Sequence, residues 1–137
     1  MEVPYIEVLK ARLAARFHVQ VELTRVPQGF QTPAAIPVEG RVLQIFRGDS
    51  SLSLGDELIF DVRVCRESDT LPFGPSFMLY DRFISTRYME VFLNGIPPRC
   101  NVPLNNCTIL STPTGTPQLP APRLEDLAKM DSGSRLG

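Results

Sequence analysis

Three groups of residues have the types and spacing to do chemistry. The first is His18, the single histidine of the chain. Histidine titrates near neutral pH and acts as a general base where a partner and a cleft hold it. No serine stands in a Gly-x-Ser-x-Gly context, so a hydrolase triad would have His18 as its one candidate base and no marked nucleophile. The second group is the run Asp49, Ser50, Ser51, Ser53, Asp56 and Glu57. Its oxygens suit calcium, but the spacing is not that of an EF-hand loop, and a turn selects the same residues. The third group is Cys65, Cys100 and Cys107. An odd count forbids a complete disulfide framework within one chain, and no second pair or nearby histidine completes a tetrahedral zinc site. Cys100 and Cys107 are able to pair in an oxidising compartment; free, half-buried thiols are the expectation. Neither GxGxxG nor GxxxxGK[ST] occurs, so no glycine loop is marked to cradle a phosphate. The expectation is no catalytic set, no metal and no cofactor.

The elements that would position these groups are mostly strands. Gly40–Arg66 predicts a hairpin: Arg41 to Arg47, a turn-rich run from Gly48 to Asp56, then Glu57 to Arg66. In the second arm Leu58, Phe60, Val62 and Val64 alternate with mostly polar residues, the pattern of a strand packed on one side. Phe17, Val19, Val21 and Leu23 alternate in the same way with His18, Gln20, Glu22 and Thr24, which places His18 on a polar face, as an exposed or rim residue. Tyr88, Glu90 and Phe92 alternate with Met89, Val91 and Leu93 over Arg87–Leu93, a strand apolar on one face and partly so on the other. Asn94-Gly95 is a turn signal after it. Cys107 to Ser111 is the last expected strand. Before these, Pro4 to about Arg16 has helical spacing in Ile6, Leu9, Leu13 and Phe17; no glycine or asparagine marks where helix yields to strand. Val26–Val38, with Pro27, Pro33 and Pro37, predicts a connection and not a central strand. Ser68–Pro75 is a second break, and Phe77, Leu79 and Tyr80 suit a short strand or a turn of helix.

One domain over residues 1–111 follows, with residues 112–137 as a Pro-rich tether, a short helix at Leu124–Met130 and a disordered end. The 137 residues are enough to bury a core, 43% are apolar, and the net charge of −1 argues against strong non-specific affinity for nucleic acid or acidic membranes. No apolar run approaches the roughly 20 residues that cross a bilayer. No targeting signal is visible, so a soluble cytoplasmic protein is expected.

One face has the makings of a ligand site. Arg41, Arg47, Arg63 and Arg66 cluster in the hairpin, and Phe46, Tyr80 and Tyr88 lie on neighbouring strands. Arginines that track phosphates beside aromatics that stack bases are what single-strand binders use. Asp49, Asp56, Glu57, Asp61 and Glu90 in the same region would repel phosphate. Arg41, Arg47, Arg63, Arg66 and Tyr88 are the candidate ligand-binding residues.

Short strands, a long first hairpin and an accompanying helix resemble the OB-fold class of small barrels. Gly40-x-Val42-Leu43 through Gly55-Asp56, and then Tyr88 to Gly95, resemble netrin-like modules, which include metalloproteinase inhibitors. That family's N-terminal cysteine pattern and paired disulfides are missing, so the resemblance assigns no inhibitory residue. The expectation is a mainly β domain, a small antiparallel barrel or half-open sheet of about five strands, with an N-terminal helix and a flexible tail. Its expected function is non-enzymatic binding of a protein partner or of a second copy of itself; the alternative is single-stranded nucleic-acid binding.

Overall fold

The computed structural model describes residues 4–70 and 77–129. The elements are α1 (Tyr5–Ala14), β1 (Phe17–Arg25), β2 (Ala34–Arg47), β3 (Glu57–Cys65), β4 (Met78–Leu79), α2 (Tyr80–Phe83), β5 (Tyr88–Ile96), β6 (Arg99–Asn101), a 3-10 turn (Pro103–Asn105) and β7 (Cys107–Leu110). Residues 124–129 form a further short helix. The expected break over Pro72, Gly74 and Pro75 and the expected loose end from Ser132 lie outside the described residues.

The chain is mainly β, a mixed sheet of seven strands with an N-terminal helix, and not a clean barrel. β1 pairs antiparallel with β2 on one side and β5 on the other. β2 pairs with β3, and β6 joins β3 to β5, so pairing passes from β1 through β2, β3, β6 and β5 back to β1. Among the described residues β4 and β7 each have a single neighbour, β3 and β5 respectively. Two expectations are corrected. Among the described residues the strands number seven and not about five, and β3 runs parallel to both β4 and β6. Segments of two and three residues carry no readable period, which is why β4 and β6 left no mark in the sequence.

Inside, the alternating residues meet. Phe17, Val19 and Val21 of β1, Leu58, Phe60, Val62 and Val64 of β3, and Met89, Val91 and Leu93 of β5 are buried in one cluster. Each such side chain contributes about 1.5–3 kcal/mol through its removal from water.

β2 also overturns an expectation, because it begins at Ala34 and runs through Pro37. The ladder to β1 reaches only Glu39, so at Pro37 the strand has β3 alone as neighbour. Val42 N–H bonds the Asp56 carbonyl, which sets the alternation and turns the Pro37 nitrogen away from β3. A missing donor on an unpaired edge costs no ladder bond. Asn94-Gly95 likewise ends nothing: both lie within β5, where Gly95 takes a φ of 105°, and the turn into β6 falls at Pro97-Pro98.

Outside, the sheet is covered. His18, Gln20, Glu90 and Phe92 point away from the interior cluster yet are buried. Helix α1 lies over this face, with Leu9 buried. Asn106 pins it: Arg12 Nε donates to Asn106 Oδ1 (2.9 Å), and Asn106 Nδ2 donates to the Val8 carbonyl (3.3 Å). Arg47 Nη1 donates to the carbonyls of Arg12, Leu13 and Ala15, capping the C-terminal end of α1. The segment after β7, expected as a free tether, folds back here, and Leu127 of the last helix is buried.

Candidate functional site

Two places differ from an ordinary sheet surface. The first is the polar cluster sealed beneath the folded-back tail. His18 and Gln20 of β1 face Glu90 of β5, because register places His18 opposite Phe92 and Gln20 opposite Glu90. His18 Nε2 donates to Glu90 Oε2 (3.0 Å) and Gln20 Nε2 to Glu90 Oε1 (2.9 Å). The tail supplies the rest. The Gln118 amide donates to both carboxylate oxygens (2.8 and 3.0 Å), and the Leu119 amide donates to Oε2 (2.6 Å). The Thr114 amide donates to Gln20 Oε1 (2.8 Å), and Gln20 Nε2 donates to Thr114 Oγ1 (2.8 Å).

Burial pushes the Glu90 carboxyl up, but bonds from the Gln118 amide, Gln20, His18 and the Leu119 amide outweigh it, and the group is held below its usual value. Burial pulls His18 below 6.5 against the raising influence of Glu90. The imidazole is therefore neutral, with its proton on Nε2 directed at an ionised carboxylate. It stacks on Phe92 with ring centroids 3.9 Å apart. The expectation that His18 is exposed is wrong for a plain reason: a polar strand face is solvated only when nothing else covers it. No buried side-chain nitrogen or oxygen among the described residues lacks a partner, so this cluster is a fastening between sheet and tail.

The second place is a seam where the strand circuit opens. β6 lies beside β3 at Ile59 and Phe60. The chain then kinks at Leu104 and Asn105, both with φ near 50° (51° and 53°). There the Asn105 side chain spans the gap: the Arg63 amide donates to Asn105 Oδ1 (2.8 Å), and Asn105 Nδ2 donates to the Arg63 carbonyl (3.3 Å). Beyond this side-chain bridge β7 stays with β5, while β3 takes β4 as its neighbour. A cleft of about 330 Å3 is left between the two edges, bounded by Phe77, Met78, Leu79 and Arg82 on one side and by Cys107 and Ile109 on the other. Phe92 N–H bonds the Asn106 carbonyl, which fixes the alternation along β7. Thr108 and Leu110 thus turn their main-chain groups to β5, and Cys107 and Ile109 turn theirs to the seam.

The sequence-predicted residues do not gather. Arg41 ion-pairs with Glu57 at 4.0 Å on the exposed side of the hairpin. Arg47 is spent on the end of α1. Arg66 stacks over Tyr80 at 3.8 Å and donates to Thr32 Oγ1. Tyr88 is half-buried beside the Arg87 guanidinium, 5.4 Å away. Arg63 alone of the set stands at the seam, its guanidinium 6.0 Å from the Phe77 ring. The Asp49 run is an exposed, hydrogen-bonded turn: Asp49 accepts from Ser51 and from Arg16, and these bonds hold its carboxyl down to about 2. The three thiols are free. Burial pushes the Cys107 thiol up to about 12, far from a nucleophile's range.

Glu90, Gln20 and Arg82 were not among the residues expected to form a site. Glu90 left one signal, a carboxylate in the middle of the most apolar strand; Arg82 left none. No group of three or more histidine, cysteine, aspartate or glutamate residues that could hold a metal occurs among the described residues, and no helix among them is long and apolar enough to cross a membrane. Comparison with protein-family models and with curated proteins finds no match for the chain.

Proposed function

We propose that this protein is a non-enzymatic binding module that engages a protein partner at the seam between β4 and β7. One observation carries the reading: among the described residues, the main-chain groups of Cys107 and Ile109 on β7 have no strand partner and face a cleft. An extended segment that adds to such an edge gains main-chain bonds for affinity and side-chain pockets for specificity. A non-enzymatic role draws support from Glu90, whose carboxylate oxygens are taken up by the sheet and the tail, and from His18, whose Nε2 is held on that carboxylate. A half-open OB-like barrel is the architecture we assign. The circuit β1-β2-β3-β6-β5 supports it, since that class is a five-stranded and partly open barrel. A single-strand nucleic-acid reader draws less support, because Tyr80 is covered by Arg66 and Tyr88 lies beside Arg87.

The test is a titration of the isotope-labelled full chain with extended peptides of varied charge. Amide signals of Cys107–Leu110 and Met78–Leu79 should shift. Shifts confined to other regions, or none with any peptide, would overturn the reading. Dilution of the protein alone separates self-association, the other occupant this edge admits.

A further inference from the structure

The described arginines fall into two sets. Most have a side-chain partner: Arg12 with Asn106, Arg16 with Asp49, Arg25 with Glu39, Arg41 with Glu57, Arg87 with Glu22, Arg99 with Asp61 and Arg123 with Asp126. Arg47 and Arg66 donate to carbonyl and hydroxyl oxygens. Among the described residues only the guanidiniums of Arg63 and Arg82 carry neither a hydrogen bond nor an ion pair, and both stand at the seam. Arg82 lines the cleft and also the hollows on either side of it. Arg63 reaches over Phe77, which lines the same cleft. Among the described residues no aspartate or glutamate lines the cleft itself or the hollow that continues from it along β7 past Ile109 and Leu110; Glu67 and Asp81 line only the third hollow, beside Arg66 and Tyr80. Two cations without an ion pair, beside a cleft whose described lining holds no carboxylate, make a field that favours an anion there.

We infer that the seam takes an extended acidic peptide, added as a strand to the free edge of β7, with its carboxylates on Arg82 and Arg63. This rests on the binding-module reading and adds the chemistry of the partner. Backbone supplies the register. Cys107 and Ile109 face the seam two residues apart, about 6.7 Å along the strand, the repeat at which an added strand donates and accepts. Alternate side chains of the ligand face the apolar wall of Phe77, Met78 and Ile109; those between reach the guanidiniums. Arginine forks pair with carboxylates in two parallel bonds, which makes the acid a specificity element and not only a source of attraction.

The probe is a labelled peptide of about eight residues, alternating valine with aspartate, long enough to span β7. Four companions accompany it: aspartate replaced by asparagine, aspartate replaced by lysine, alternate amides N-methylated, and an oligothymidylate of equal charge. The acidic peptide should shift the amides of Cys107 and Ile109. The asparagine and N-methylated forms should each bind about tenfold or more weakly, as loss of a charge-assisted contact or of ladder bonds requires. R82E should weaken the acidic peptide and strengthen the lysine peptide, with its unfolding midpoint unchanged. Equal binding of acidic and asparagine forms at the seam would overturn acid recognition and leave the binding-module reading standing. Binding of the oligothymidylate at the same amides, more tightly than the acidic peptide, would overturn it in favour of nucleic acid. If no probe of any charge perturbs the seam, this inference and the reading beneath it both fall.

Discussion

The outer face of β1 and β5 and the seam between β4 and β7 belong to one sheet, yet they are finished in opposite ways. On the β1–β5 face the chain covers itself. Phe92 stacks on His18, Arg12 lies over the ring, and the tail returns to fill the Glu90 carboxylate with amide bonds. At the seam the chain opens. Asn105 bridges to Arg63, and past it, among the described residues, two strand edges face each other without pairing. A buried carboxylate with full partners fixes position, whereas an unpaired edge leaves bonds to be made by something else. One side of the sheet is thus fastened by its own chain, and the other leaves the open edge at which a partner is proposed to add.

The largest expected effect lies on the covered face. Phe92→Ala should cost about 4 kcal/mol in urea unfolding, since the ring is fully buried between His18 and α1. A loss under about 1 kcal/mol would mean that this face is a surface and not a second core.

Glu90→Ala should cost about 3 kcal/mol, because it strands His18, Gln20 and two tail amides without their acceptor. Limited proteolysis should then cut within residues 112–123 in folded protein. An intact tail in that variant would show that the fastening lies elsewhere.

Acid should act in the same direction through two groups. Bonds hold the Glu90 carboxyl below 4.5, so its stabilisation is present above that value and is lost as pH falls through the lower folded value. Burial holds His18 below 6.5, so the unfolded chain takes up that proton first and stability declines as pH drops beneath 6.5. The unfolding midpoint should fall in two stages, and His18→Gln should flatten the upper one. A midpoint independent of pH between about 7 and 5 would contradict the buried neutral imidazole.

The smallest effects sharpen the contrast between arginines. Arg47→Ala should cost about 2 kcal/mol, because three carbonyls at the end of α1 lose a charged donor. Arg82→Ala should change stability by less than about 0.5 kcal/mol, as expected of an exposed side chain without partners. Equal losses in the two variants would erase the division.

The readable part of the fold is the part with a period. Phe17–Leu23, Leu58–Val64 and Met89–Leu93 alternate over enough residues for packing against a core to show in the sequence, and these are the strands of the interior cluster. What stayed hidden depends on contacts across long separations. His18 and Glu90 are 72 residues apart, and Gln20 and Thr114 are 94 apart, so no local pattern marks their meeting. The prolines between Pro113 and Pro122 speak for an extended backbone and are silent on whether it docks. Pro37 misled because proline excludes a paired edge and not a strand. Of the five proposed ligand residues only Arg63 reached the seam, since clustering along the hairpin sequence ignores that alternate residues face opposite ways and that cations close to carboxylates are consumed.

Amide hydrogen exchange in the native state, resolved along β7, is the most direct test. The account predicts slow exchange at Thr108 and Leu110, whose amides face β5, together with slow exchange at Gln118 and Leu119, whose amides face Glu90. It predicts fast exchange at Cys107 and Ile109, whose amides face the seam. Uniform protection along β7, with free exchange at Gln118 and Leu119, would reverse the two regions and contradict it.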